Sequence, residues 1–279
     1  MSAVAPGLWL VATPIGNMED LPPRAVEVLR AARVVCCEDS RRSGSLLKRI
    51  SAFPERLIVA NDHTEFEIVG HVIELLASGA VVAFVSDAGT PGISDPGERV
   101  VRAVIDAGHA VHAVPGPAAF VMAAILSGLP TARIAFDGFL PRSGAERRER
   151  ITEVARERRT VVLYEAPHRL RRTLDDLVAA CGESRRVALA RELTKLHEDT
   201  WRGTLGEAVL HGATVEPRGE YAIVIEPAPS ATVEPTDDDI RRELSARTST
   251  GLSTRDAVDE VTVALGVPRK RVYTLALEQ

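Results

Sequence analysis

Short apolar runs at residues 8–12, 34–37, 57–60, 81–85 and 110–114 read as buried strands, each four or five residues long and followed by a polar or glycine-bearing segment. Amphipathic stretches separate them. Val26, Leu29 and Ala32 fall on one face of a helix that Asp20 is expected to cap and Pro22 or Pro23 to open, and further helices are expected at 65–77 and 97–107. Strand–helix alternation of this kind predicts an α/β domain with a mostly parallel sheet. After Pro115-Gly116-Pro117 the pattern restarts, with strands expected at 134–136, 160–164, 187–190 and 221–225 in a second α/β unit. A Pro- and Ala-rich stretch at 227–235 reads as a linker, and three short helical patterns follow. The expected organisation is two α/β domains, 1–117 and 118–228, with a cleft between them, and a small helical domain at 229–279. Within the last, Ser253, an apolar-periodic stretch, a turn at Gly266-Val267-Pro268 and a helix opening on Arg269-Lys270-Arg271 trace a helix-turn-helix outline. A plain helical cap with solvated basic residues accounts for the same pattern and is the favoured reading.

Composition removes whole classes of function. With 279 residues, 45% hydrophobic and 26% charged, the chain can bury one large core or two medium ones, which excludes disorder, collagen and a disulfide-held miniprotein. The net charge of −5 is unlike that of a general nucleic-acid coat protein, so any RNA contact must come from a local patch. Cys36, Cys37 and Cys181 give neither a disulfide framework nor a metal-binding spacing, so a reducing cytoplasm is expected and no metal site. The longest apolar run, 118–126, is too short to span a bilayer, and no membrane association is expected.

Chemistry concentrates in loops that follow strands. No Walker A loop, GxSxG elbow, HExxH pair or GxG spacing occurs, so a small molecule must bind through other loops. The densest is Ser86-Asp87-Ala88-Gly89-Thr90-Pro91-Gly92-Ile93-Ser94-Asp95-Pro96-Gly97, placed after one strand and before a helix. Its glycines let backbone amides approach a ligand, and Asp87 and Asp95 either accept hydrogen bonds from hydroxyls or merely cap turns. So dense a run at a strand's carboxyl end favours a binding site. Glu165-Ala166-Pro167-His168-Arg169 and Arg191-Glu192-Leu193-Thr194-Lys195 follow two later strands. Taken singly, His168 is a helix-start residue and Arg191 with Glu192 an ion pair. Lys195 is one of only three lysines, and an amine can shift its pKa where a guanidinium cannot. Of the adjacent Glu38 and Asp39, one is expected to face the cleft. Residues 142–159 carry seven arginines against four glutamates; the default reading is a solvated helical face, and the excess charge also suits an RNA backbone.

Eight motifs in order carry a resemblance over nearly the whole chain: LVATPIGNMEDL (10–21), EDSRRSG (38–44), VSDAGTPGISDPG (85–97), PGPAA (115–119), GFLPR (138–142), YEAPHR (164–169), ARELTK (190–195) and GEYAIVIE (219–226). They resemble the tetrapyrrole methylase superfamily and, within it, the branch that methylates the ribose 2′-oxygen of a cytidine in the decoding region of 16S ribosomal RNA. Ala12, Ser40 and Met18 stand where that branch more commonly has proline, threonine and leucine. The resemblance implies S-adenosyl-L-methionine bound between two α/β domains, a homodimer, and 16S rRNA within the small ribosomal subunit as partner. It also implies a donor pocket lined by Asp87, Ala88, Gly89, Thr90, Pro91, Asp95, Pro115, Gly116, Pro117, Glu165 and Arg191. Pro14, Gly16, Asn17 and Asp20 are expected to border the acceptor, joined by Glu38, Asp39, Arg41, Arg142, His168 and Arg169 as substrate-binding residues. Removing the weakly acidic ribose proton needs a base or a cation near the oxygen, and Lys195, with Glu192 or Glu165, is expected to provide it. A tetrapyrrole-precursor or diphthine methylase of the same superfamily, or a binding module without chemistry, are the alternatives.

Overall fold

The computed structural model describes residues 4–61, 64–229 and 235–278. Residues Met1–Ala228 make one compact unit and Pro229–Gln279 a second. The apolar runs of the first third become β1 (Gly7–Val11), β2 (Val34–Cys37), β3 (Arg56–Val59), β4 (Val81–Val85) and β5 (Val111–Val114), all parallel in the order β3-β2-β4-β1-β5. Side chains alternate across this sheet. Leu8, Cys36, Val82 and Phe84 pack with helices α3 (Glu65–Ala77) and α4 (Glu98–Asp106), while Trp9, Val11, Cys37, Ala83 and Val85 pack with α1 (Pro23–Ala31) and α2 (Ser40–Arg49). Both faces are covered, which is why these strands read as continuous apolar runs. Cys36 and Cys37 therefore point to opposite faces, and burial pushes the Cys36 thiol up to about 12, so it is inert.

The chain leaves β1 for one side of the sheet and β4 for the other, so the crevice for a ligand opens between these neighbouring strands. A bridge between Thr13 and Gly89 joins the two departing loops there. Glu65 holds the far end of the 86–97 loop. Gly97 caps α4 without a side chain, and the buried Glu65 Oε1 instead accepts from the amides of Gly97, Arg99 and Val100 at 2.9–3.1 Å. Contrary to the expectation from the sequence, Asp20 does not cap α1. It ends a 3₁₀ turn, Met18–Asp20, capped by Asn17, and α1 starts at Pro23 with no side-chain cap.

The second sheet has the order β6-β7-β10-β8-β9, from β6 (Ile134–Phe139), β7 (Thr160–Glu165), β8 (Arg186–Arg191), β9 (Asp199–Thr204) and β10 (Tyr221–Ile225). Only β6 and β7 are parallel; β10 runs against both its neighbours. Helices α6 (Gly144–Arg156), α7 (Pro167–Cys181) and α8 (Leu205–Thr214) cover one face, and α5 (Ala119–Ser127) covers the other. Three elements had no counterpart in the sequence reading: α2, α8 and the edge strand β9. Without apolar alternation, β9 exists because β8 offers it a ladder from Arg186↔Thr204 to Arg191↔Asp199.

Helices α9 (Asp237–Ser249), α10 (Thr254–Leu265) and α11 (Arg269–Leu277) of the second unit pack around Ile240, Leu244, Val258, Val261 and Val272. Ser253 caps α10, and Gly266 closes it in the left-handed region at φ +63°. The basic tip is largely neutralised within the unit, because Arg269 bonds Asp259 at 2.6 Å and Arg271 bonds Asp237 at 2.7 Å. Most of the expected linker at 227–235 lies outside the described residues.

Candidate active site

The carboxyl edge of the first sheet faces the β7, β8 and β10 edge of the second across a cleft of about 550 Å³. Glu38 follows β2, Asp87 to Asp95 follow β4, Ile15 follows β1 and Ala118 to Phe120 follow β5. From the other sheet come Tyr164 and Glu165 at the end of β7, Ala190, Glu192 and Lys195 at and beyond β8, and Glu220 to Ala222 at the start of β10. Because β10 is antiparallel, its first residues lie where the other strands end. Glu220 therefore reaches the cleft although it precedes its strand.

Lys195 is the centre of the polar wall. Its Nζ donates to Glu192 Oε1 at 2.8 Å and to Glu220 Oε2 at 2.9 Å, and the amide of Glu220 donates to the same Glu192 oxygen at 3.0 Å. Desolvation alone would lower the amine's pKa, but the two hydrogen bonds and the charges of both carboxylates outweigh it and raise it above the ordinary lysine value. Glu192 moves the other way, chiefly through its bond from Lys195. The pair is thus an ammonium and a carboxylate, and Lys195 is a poor proton acceptor.

This wall is built under close contact. Glu192 and Thr194 both adopt positive φ (50° and 64°), a conformation that costs a non-glycine residue on the order of 1–3 kcal/mol. Gly219 leaves room for Glu192, whose carboxyl carbon would lie 2.4 Å from an added Cβ. Gly16 does the same for the catalytic candidate, since its Cβ would sit 2.4 Å from Lys195 Cγ and 3.1 Å from the carbonyl of Leu193. The Asn17 amide then donates to Thr194 Oγ1 at 3.1 Å, tying the two sheets' loops together. Gly16→Ala is expected to displace Lys195 and reduce turnover by about 10²-fold, the cost of misplacing a reacting group by about an ångström. Its melting temperature should stay within a few degrees of the parent's. An alanine variant with unchanged turnover would show that this contact does not set the site.

The other expected site residues separate by what they touch. Asp87, Ala88, Gly89, Thr90 and Asp95 line the cleft. Pro91, Pro115, Gly116, Pro117 and Arg191 do not. Pro91 is buried, the Gly116 backbone lies against Ala12, and the Pro117 carbonyl accepts from Thr90 Oγ1 at 3.4 Å, so the Pro115–Pro117 segment supports the loop from behind. Asp87 accepts from the Asp39 amide at 3.0 Å and pairs with Arg42 at 3.5 Å, linking the loops after β4 and β2. Of the two adjacent carboxylates, Glu38 lines the cleft and Asp39 caps α2, where Arg41, bonded at 2.7 Å, holds its carboxyl down to about 2. Pro14, Gly16, Asn17, Asp20, Asp39 and Arg41 do not line it. Glu165 is buried with both oxygens occupied: Oε2 accepts from Thr173 Oγ1 at 2.6 Å, and Oε1 accepts from the Ala166 amide and pairs with Arg169 at 3.1 Å. The expectation that it handles a proton is corrected accordingly; it anchors Arg169 and the start of α7.

A second groove adjoins the cleft. Phe139 and His168 line both, and Arg142, Arg169 and Arg172 line the groove. The Arg142–Arg159 stretch is therefore not only a solvated face. Arg147 lies inside it, 3% exposed, bonded to Asp176, Thr173 Oγ1 and the Pro141 carbonyl.

Residues 7–209 match the family model Tetrapyrrole (Corrin/Porphyrin) Methylases. A protein of Synechocystis sp. named ribosomal RNA small subunit methyltransferase I is 41% identical over 272 residues, 97% of each chain. A Mycobacterium tuberculosis protein of the same name is 40% identical over 274 residues, 97% of this chain and 94% of that one. Among solved structures, the methyltransferase CobJ superposes with a TM-score of 0.61 at 19% identity, covering 80% of this chain and 94% of that chain. The Thermus thermophilus uroporphyrin-III C-methyltransferase complexed with S-adenosylhomocysteine gives 0.56 at 19% identity, covering 79% and 97%. These two likenesses speak to the fold. With the family match over most of the length and relatives at about 40% identity end to end, the chain belongs to the tetrapyrrole methylase family, in its ribosomal RNA small subunit methyltransferase I branch.

Proposed function

We propose that this protein transfers a methyl group from S-adenosyl-L-methionine to the ribose 2′-oxygen of a cytidine in the decoding region of 16S ribosomal RNA, within the small ribosomal subunit, as a cytoplasmic homodimer. The observation that carries the chemistry is the Lys195 ammonium held by Glu192 and Glu220 on the wall of a cleft that opens into an arginine-lined groove.

The cleft suits the donor. Its volume lies within the roughly 300–1,000 Å³ of small-molecule sites, and its walls set carboxylates at Glu38, Asp87 and Asp95 among apolar surface from Ile15, Ala118 and Ala222. Hydroxyl and ammonium groups suit the former and a purine ring the latter. When bound, the donor supplies a sulfonium methyl already activated for transfer. Asp87, Ala88, Gly89, Thr90 and Asp95 would hold it, with the Pro115–Pro117 segment fixing their loop.

The protein's own work is to present the ribose oxygen and to make its negative charge tolerable. Lys195, fixed by two carboxylates and packed against Gly16, is preorganised to face that charge without moving. Glu192 keeps the amine protonated and oriented. Arg142 and Arg172 along the groove supply the local positive patch that a chain of net charge −5 needs in order to meet RNA. Dimer formation rests on α5, an apolar helix that leaves Val121, Ile125 and Leu126 exposed.

The test is transfer of labelled methyl from the donor to small ribosomal subunits lacking the modification, and to free 16S RNA, followed by mapping of the labelled nucleotide. Label on one cytidine ribose of the decoding region is the expected result. Label on porphyrinogens and on neither RNA would move the function to the tetrapyrrole-precursor branch.

A further inference from the structure

Phe139 is a large aromatic side chain left 53% exposed between the cleft and the arginine-lined groove, and nothing in the methyl-transfer chemistry above uses it. Its position depends on a fault in β6. The β6–β7 register runs Phe136↔Val162 and then Gly138↔Leu163 and Phe139↔Tyr164, so Asp137 is an extra residue in a bulge. In a regular strand Phe136 and Phe139, three positions apart, would face opposite sides of the sheet, and Phe139 would enter the core beneath α6 and α7. The bulge brings both to the side of Tyr164, where Phe136 and Phe139 meet its ring edge-on at 4.9 and 5.6 Å. Gly138 makes this possible. It sits at φ +61°, and a Cβ there would lie 2.6 Å from Ser94 Oγ of the loop after β4. The strand is thus bent, at a position that favours glycine, with the effect of placing one aromatic face at the mouth.

We infer that Phe139 is a stacking platform for a base of the RNA substrate, at or beside the target nucleotide, with the adjoining phosphates on Arg142 and Arg172. The inference rests on the RNA reading of the site and adds to it how the nucleotide is held. Three observations support a nucleotide as the occupant. The ring meets Tyr164 edge-on and is left 53% exposed. Arg142 and Arg172 beside it are exposed, and Arg172 has only a 4.0 Å approach to an Asp176 oxygen that Arg147 already holds at 2.7 Å. The groove they line also runs into the cleft through His168. A flat π surface beside exposed guanidinium groups is the arrangement by which proteins hold unpaired bases, and a base drawn out of its stack is what brings a ribose hydroxyl to an enclosed site.

The experiment compares Phe139→Ala, Phe139→Leu and Phe139→Trp with the parent protein. Binding to unmethylated small ribosomal subunits, single-turnover methylation of them, and the donor dissociation constant are measured. Alanine should weaken subunit binding by about 5- to 150-fold, the range of one lost stacking contact. Leucine, apolar and of similar bulk but without a π face, should be nearly as poor. Tryptophan should restore binding, and its added fluorescence should be quenched on adding subunits, a readout independent of turnover. Donor affinity should stay within about twofold in all three. The inference is overturned if leucine binds subunits as well as the parent, if donor affinity falls in step with subunit affinity, or if the alanine variant changes the oligomeric mass. Should the parent itself transfer no label to subunits, the RNA reading fails and takes this inference with it. A parent that labels them, with variants that match it, removes the stacking role alone.

Discussion

Replacing Lys195 with methionine should lower single-turnover methylation of small ribosomal subunits by about 10²- to 10³-fold, the usual cost of removing one preorganised donor from a developing oxyanion. Methionine keeps the apolar stem packed against Gly16 and removes only the charge. Donor affinity and melting temperature should change little. Of the two ion pairs lost, the one to Glu220 involves a largely exposed carboxylate, and such pairs contribute little to stability. The pH profile separates two roles for the amine. Its pKa is raised, so between about pH 6 and 9 it stays an ammonium, while Glu192, whose pKa is lowered, stays a carboxylate. A cationic role therefore predicts a rate constant for the chemical step that is flat across this window. An amine acting as base would have to be neutral, and the rate would climb tenfold per pH unit towards the raised pKa. A slope of one in that window, lost in the methionine variant, would overturn the cationic role.

Replacing Arg147 with methionine should destabilise the first unit by about 3 kcal/mol, because it leaves the Thr173 hydroxyl without the donor it accepts from, the Pro141 carbonyl with only the longer 3.4 Å bond from Arg169, and Asp176 without its closest cation. For a unit of this size the melting temperature should fall by about 6–12 °C. Arg147→Lys should recover part of the loss, since an ammonium can reach Asp176 but cannot fork to three acceptors. The Thr173 hydroxyl also donates to Glu165, which pairs with Arg169, so the chain from Arg147 to the cleft is continuous. A calorimetric scan in which the methionine variant melts with the parent would show that this buried guanidinium is dispensable.

Much of the architecture was legible in local pattern. The strand Val34–Cys37, the helix Glu65–Ala77 and the strand Tyr221–Ile225 coincide with the expected ones, because each carries the period and the burial of its element in its own residues. That the loop after β4 lines a cleft was legible for a similar reason: so dense a run of Gly, Pro and Asp follows an apolar strand at the sheet's carboxyl edge. The edge strand β9 and the helix α2 were not legible, since their residues are mostly polar and their form is imposed by β8 and by the cap at Asp39.

The charged residues divide along a different line. Period and composition placed Glu165, Glu192, Asp39 and the arginines of 142–159 near strand ends or on a helix, and there the information stopped. Whether a carboxylate is available to a substrate depends on what fills its hydrogen bonds. Some of those partners are near neighbours, as Arg41 is for Asp39 and Lys195 for Glu192, but others come from far along the chain, as Glu220 does for Lys195 and Asp176 for Arg147. The same holds for Glu220, brought to the cleft only because β10 runs antiparallel, and for Phe139, turned outward by a one-residue bulge. The sequence by itself determined the two α/β sheets, the family and the loops that line the cleft. Only the tertiary structure decided which charges are committed to the fold and which face the cleft, because an ionised group's role is set by its nearest partners in space, and sequence spacing does not encode them.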